Sequence, residues 1–181
     1  IARRQRQMCI RDSITQIVAI LLHLDAKLPQ AGILPASGLA RTRALSTLAW
    51  MNNTVHPTFT HVFMPQKFTD DETAQKAIRA FAANSYRGLL GEIEALAVKA
   101  SPWLCGDRPC ALDAYALTLL RWGGIAGVDP TSMPATWDLA QRFAALPAVA
   151  RVIERYLQVR FGDQAFPVEE ARSLRRELRK L

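Results

Sequence analysis

Three histidines (His23, His56, His61) and three cysteines (Cys9, Cys105, Cys110) are the side chains here best suited to proton transfer, nucleophilic attack or metal binding. They contain no CxxC, and no histidine stands at zinc-type spacing beside a cysteine, so the pattern implies no metal site. Four residues, Arg108 among them, separate Cys105 from Cys110. Ordinary reduced thiols are the simpler reading of that pair, set against a redox role. His56 lies in VHPTFTHVF, on an apolar helical run, with Asn53 one turn earlier on the same face. A histidine so placed is either packed as structure or presented to a pocket as an acid–base group. His61 falls five residues on, off that face, and is expected at a surface or interdomain position.

The stretch GDRPCALDAYALTLLRW, Gly106–Trp122, poses a different question, because an apolar helix keeps an aspartate in its first turn. Helix starts leave backbone N–H groups without partners. Asp113 stands three residues after Cys110, the capping-box spacing, with a poor acceptor at the cap itself. Asp113 is therefore read as a structural cap reaching back to the N–H of residue 110. Arg121 and Trp122, before two glycines, read as a helix end and core packing.

These residues need helices to position them, and helical periodicity dominates the chain. Residues 16–28 form a helix expected to be buried on most sides. Ser37 caps a helix over 38–64 presenting Leu39, Leu45, Leu48, Ala49, Val55 and Phe59, with Pro57 kinking it. Asp70 caps a long helix to about Ala100, with Ala74, Ala77, Ile78, Phe81, Leu89, Ile93, Leu96 and Ala97 inward. Further helices cover 111–122, 134–145 and 147–159. The tail from 167 reads as a short amphipathic helix, and Ile10–Ile14 is the one weak strand signal. Trp50, Trp103 and Trp137 are expected in the core or an interface. The fold class is an all-α bundle.

The chain has 181 residues and a formal charge of +7. That excess sits at the ends: +4 over 1–11, +2 over 168–181, and only +1 over 12–167. A nearly neutral body argues against nucleic acid as a partner. The apolar run Ile14–Leu24 is too short to span a bilayer and carries Gln16 and His23, so no membrane role is expected. Few, odd-numbered cysteines suit a cytoplasmic protein. Residues 1–12 read as a basic segment foreign to the rest of the chain. Their MCIRDS resembles translated adapter sequence, with a native basic arm as the alternative.

PWLCGDRPCALDAYALTLLRW resembles the Gly-Asp…(Ser/Thr)-x-x-Asp segment in the C-terminal domain of cytosolic glutathione transferases. MPATWDLAQRFAALPAVARVIE (133–154) is similar to the next segment of that domain, with Leu146 where an Arg often stands. AWMNNTVHPTFTHVFMPQKF (49–68) resembles the fourth helix of bacterial members. ITQIVAILLHLDAKLP (14–29) resembles the end of their thioredoxin-like N-terminal domain. The resemblance covers about 13–160. It implies a thioredoxin-like remnant over 13–35, a glutathione-transferase C-terminal-type helical domain over 36–160 and a basic tail over 161–181.

The resemblance also implies a function: conjugating or reducing small hydrophobic electrophiles with glutathione as co-substrate, without a metal, in a homodimer when full length. It places Gln16 and Ile17 against the γ-glutamyl end of glutathione, Ile17 through its backbone only. It places Asn53 and His56 at the electrophile pocket, with Pro57 where beta-class bacterial enzymes carry a Lys. It supplies no catalytic residue: the group that holds the thiolate is expected upstream, and Cys9 does not match its position. The alternative is a non-catalytic interaction or scaffolding module of the same build.

Overall fold

The computed structural model describes residues 14–161, and among these the secondary structure is helical, with one isolated bridge between Trp103 and Gly106. The segment 1–12, the tail helix and all but Ile14 of the suggested strand lie outside the described residues. In chain order the helices are α1 (Ile17–Lys27), α2 (Gly38–Trp50), α3 (His56–Phe63), α4 (Glu72–Ala97), α5 (Ala111–Gly123), α6 (Pro134–Ala144) and α7 (Pro147–Phe161).

Prolines set most of the breaks. Pro29 and Pro65 each open a short 3-10 turn after a helix, and Pro134 and Pro147 each open the next helix. Pro57 acts differently. It cannot donate to the carbonyl four residues back, and its ring crowds that carbonyl. The chain answers with a single π turn, Met51–Val55, in which the His56 N–H bonds to the carbonyl of Met51. α2, this turn and α3 therefore run on as one rod, wound more widely just before His56.

Along that rod Ala44, Leu48, Met51, Val55, Phe59 and Val62 form the buried stripe. Leu39, expected inside, is 63% exposed because it sits in the first turn, beyond the neighbouring helices. Facing the stripe are Ala82, Tyr86, Leu90, Ile93 and Ala97 of α4, with Leu112, Ala116 and Leu119 of α5. Burying each leucine contributes about 1.5–3 kcal/mol.

Ile93 and Ala97 of α4 are buried as expected, but towards its N-terminal half the inward face differs, leaving Phe81 76% exposed and Ala77 outside while Tyr86 is fully buried. The reason is polar. The Tyr86 hydroxyl donates to the carbonyl of Leu119 at 2.7 Å, so the ring can be buried without stranding its oxygen. The α4 cap also moves by one residue: the carboxylate of Asp71, not Asp70, accepts from the N–H groups of Thr73 (2.7 Å) and Ala74 (3.1 Å). Ser37 occupies the cap position of α2, but its hydroxyl makes no cap bond.

α1 departs most from expectation. Only Asp25 is buried in it; Val18 and Leu21 lean on the core, while Ile17, Leu22 and Leu24 stay exposed. Polar contacts tie it to the bundle. Asp25 accepts from the Leu34 N–H at 3.2 Å and pairs with Arg41 of α2 at 2.8 Å. The Ala111 N–H, at the start of α5, bonds to the Ile33 carbonyl at 2.9 Å. Trp103 is buried and Trp50 packs on the core, whereas Trp137 is 38% exposed.

Candidate functional site

The π turn sets where Asn52 and His56 point, and α1 begins opposite them. Between these elements and α5 lies an open cleft of about 410 Å³, lined by Gln16, Ile17, Leu21, Asn52, His56, Ala111, Ala114, Tyr115 and Thr118. A second groove of about 500 Å³ shares Gln16, Asn52 and His56 and adds Asn53, Pro57, Thr60, His61 and Phe68. Gln16, Ile17, Asn53 and His56, singled out in sequence, therefore border one continuous hollow, though Ile17 and Asn53 sit on different parts of it.

His56 is its most constrained polar group. Its Nδ1 lies 2.9 Å from the Tyr115 hydroxyl, so one proton is shared between ring and phenol: either the hydroxyl donates to Nδ1 or Nδ1–H donates to the hydroxyl. The ring stands edge-on to Trp122, 4.8 Å between centroids, and Trp122 stacks on Phe59 at 4.8 Å. Burial among these rings disfavours the imidazolium and holds His56 below its ordinary pKa of 6.5. The same burial pushes the Tyr115 phenol up to about 12. Near neutral pH the hollow thus offers a neutral imidazole and a neutral phenol, able to orient a polar substituent beside the apolar walls of Ile17, Leu21, Ala111 and Ala114.

Gln16 caps α1 with φ 72°, a left-handed value rare outside glycine, and makes no side-chain cap bond. With no acidic residue in the first turn, the open N–H groups of α1 leave partial positive charge at this edge of the cleft. Asn53 is exposed, its amide oxygen taken by Asn52 Nδ2 at 2.8 Å. His61 is half-buried: it stacks on Phe68 at 3.9 Å and borders the second groove. Sequence reasoning missed Asn52 and Tyr115. The signal for Tyr115 was available, a lone phenol two residues after the capping aspartate of a largely aliphatic helix.

Asp113 is fully buried and belongs to the framework. Oδ2 accepts from the Cys110 N–H at 2.7 Å, as the capping spacing requires, and Oδ1 accepts from the Leu104 N–H at 2.9 Å. Arg121 is exposed at the C-terminal end of α5, and Trp122 serves the cleft through His56. Among the described residues no group of three His, Cys, Asp or Glu is arranged to hold a metal ion, and no helix is long and apolar enough to cross a membrane.

The fold is thus an all-helical bundle with an amphipathic cleft between the start of α1, the π turn with the start of α3, and the first half of α5. Comparison with known proteins goes further. No family model matches the chain. It is 31% identical over 135 residues to glutathione S-transferase GST-4.5 of Xanthomonas campestris pv. campestris, a match covering 74% of this chain and 65% of that protein. Among solved structures, a sphingomonad glutathione S-transferase complexed with glutathione superposes with a TM-score of 0.65 at 29% identity, covering 78% of this chain and 67% of the other. A glutathione transferase homologue from Sulfitobacter with bound glutathione shares the fold, at TM-score 0.72 and 20% identity, covering 78% of this chain and 68% of the other. By sequence and by structure the relatives of this chain are bacterial glutathione S-transferases. The chain spans about two thirds of the length of these relatives, 65% for the Xanthomonas protein.

Proposed function

We propose that this chain is the electrophile-facing helical part of a cytoplasmic bacterial glutathione transferase that conjugates or reduces small hydrophobic electrophiles, acting as a homodimer in its full-length form. In this reading 13–35 is the end of a thioredoxin-like domain and 36–160 the C-terminal helical domain. The observation that carries it is the shared hollow, in which Gln16 and Ile17 meet His56 and Tyr115. The γ-glutamyl end of glutathione carries an α-carboxylate beside its ammonium group, and the open helix start at Gln16 suits that carboxylate. The electrophile would lie against Leu21, Ala114 and Tyr115, with His56 and Asn53 oriented toward its polar substituents. The group that holds the thiolate lies, in this proposal, outside residues 14–161.

The test is a titration of isotopically labelled chain with reduced glutathione, followed by NMR. The Gln16 and Ile17 amides should move, and a hydrophobic aryl halide should then shift His56 and Tyr115. The 181-residue chain alone should give no conjugation above background with a chromogenic aryl halide. Shifts confined to other helices, or turnover by the chain alone, would defeat the proposal. A non-catalytic interaction module is the second reading, favoured by the exposed apolar side chains of α1, Ile17, Leu22 and Leu24.

A further inference from the structure

Cys105 and Cys110 are both free thiols, and they lie side by side. Their Sγ atoms are 2.9 Å apart, with Cys110 donating to Cys105. The loop carrying them is pinned at both ends. Trp103 and Gly106 exchange backbone hydrogen bonds of 2.9 and 3.1 Å, which fold the loop back beneath Cys105. Asp113 holds the N–H of Leu104 with one oxygen and that of Cys110 with the other. One buried carboxylate thus fixes the residue before the first cysteine and the backbone of the second.

The two sulfurs differ in access. Cys110 is buried at the start of α5. Cys105 is half-buried and opens onto a pocket of about 490 Å³ that shares no residue with the hollow around His56. The pocket's lining is mostly apolar, with Leu96, Leu104 and Leu112 among it, and Arg43 and Lys99 bring two positive charges to it. The hydrogen bond from Cys110 holds the Cys105 thiol below its ordinary pKa. The bond to Cys105 together with burial pushes the Cys110 thiol up.

We propose that Cys105 and Cys110 form a dithiol–disulfide exchange site, with Cys105 attacking and Cys110 resolving, for a small anionic disulfide held by Arg43 and Lys99. The electrons balance without a further oxidant. The Cys105 thiolate attacks one sulfur of the disulfide, forming a mixed disulfide and expelling one thiolate. The Cys110 thiol gives up its proton to that thiolate and attacks Cys105 Sγ, breaking the mixed disulfide and expelling the second thiolate, which takes up from solvent the proton that Cys105 lost on ionising. The protein has lost two electrons and the small disulfide has become two thiols. Closing the sulfurs from 2.9 Å to a bond of about 2.05 Å needs less than an ångström of movement in a loop already held at both ends.

The test uses the full chain, reduced and then exposed to glutathione disulfide, quenched by alkylation and mapped by peptide mass spectrometry so that Cys9 is read separately. The parent should yield an internal Cys105–Cys110 disulfide with little mixed disulfide. Cys110→Ser should instead accumulate one glutathionyl group on Cys105, and Cys105→Ser should leave Cys110 unmodified. Arg43→Gln with Lys99→Gln should slow oxidation by glutathione disulfide by up to about fivefold, the scale of a partly screened ion pair, relative to neutral hydroxyethyl disulfide. The idea fails if Cys110→Ser gives no mixed disulfide, if the parent stops at the mixed disulfide, or if neutral and anionic disulfides are slowed alike. None of these readouts involves the His56 cleft, so failure here and failure of the transferase reading are separate results.

Discussion

Replacing Asp113 tests most directly how this bundle is held. The side chain is fully buried and its two oxygens accept two backbone N–H groups, at 2.7 and 2.9 Å. Asp113→Ala strands both donors, and each unsatisfied buried N–H costs about 1–3 kcal/mol. Removing the carboxylate also removes the cost of having buried it, which offsets part of the loss. The expected net destabilisation is about 3–4 kcal/mol, a large fraction of a typical total of about 5–15 kcal/mol. Asp113→Asn keeps the shape and one acceptor but turns an amide NH₂ toward the other donor, so about 1.5–3 kcal/mol is expected. Urea unfolding followed by far-UV circular dichroism gives both numbers, and thermal unfolding should show a drop of roughly 10 °C for the alanine variant. An alanine variant within about 1 kcal/mol of the parent would refute this account of the cap, as would an asparagine variant weaker than the alanine one.

Three further perturbations probe other parts of the bundle. Burial pushes the Glu94 carboxyl up, but the Thr136 hydroxyl and the N–H groups of Thr136 and Ala135 bind it and hold it below its ordinary 4.5. With the folded pKa depressed, its contribution is present above about pH 4.5 and lost as pH falls through the folded value, so parent and Glu94→Gln should converge in stability in acid. His56 is also depressed, by burial, so the unfolded chain takes up a proton near pH 6.5 while the folded chain does not. Stability should therefore fall as pH drops below about 6.5, and His56→Gln should flatten that slope in urea titrations at stepped pH. A β-carbon on Gly123 would meet Leu90 Cδ1 at 2.9 Å, whereas one on Gly124 meets only the Arg121 carbonyl oxygen at 3.6 Å. Gly123→Ala should cost about 1–3 kcal/mol in chemical denaturation, and Gly124→Ala should be near neutral.

What the sequence made legible was local. Prolines and the capping spacing at Asp113 marked helix boundaries to within a few residues, because those signals act through the backbone within one turn. Helix faces were harder. α4 is rich in alanine with apolar residues on several sides, so periodicity could not separate Phe81, which is exposed, from the face carrying Tyr86. Burial of Tyr86 rests on a carbonyl in α5, thirty-three residues on, and no local pattern records that. The clamp of Asp25 on Leu34 and Arg41 is hidden for the same reason. At the site, Gln16, Asn53 and His56 were visible as residues, but Tyr115 and Asn52 join them only through the packing of α5 against the π turn.

That packing makes the start of α5 the point where the two candidate sites meet mechanically. Ala111, Ala114, Tyr115 and Thr118 face the cleft around His56, while Leu112 and the loop ending at Cys110 border the pocket of Cys105. Asp113 sits between the two sets and anchors the loop to the helix. A change that frees the Leu104 N–H without unfolding the chain should loosen the sulfur pair first, because Leu104 adjoins Cys105 directly, and Tyr115 second, because its ring is also held by His56. Hydrogen exchange on Asp113→Asn should show that order: protection lost at whichever of Leu104 and Cys110 faces the amide NH₂, while the Tyr115 turn keeps most of its own. Equal loss at both places would mean that α5 responds as one rigid unit and that the cysteine loop has no independent freedom to close its disulfide.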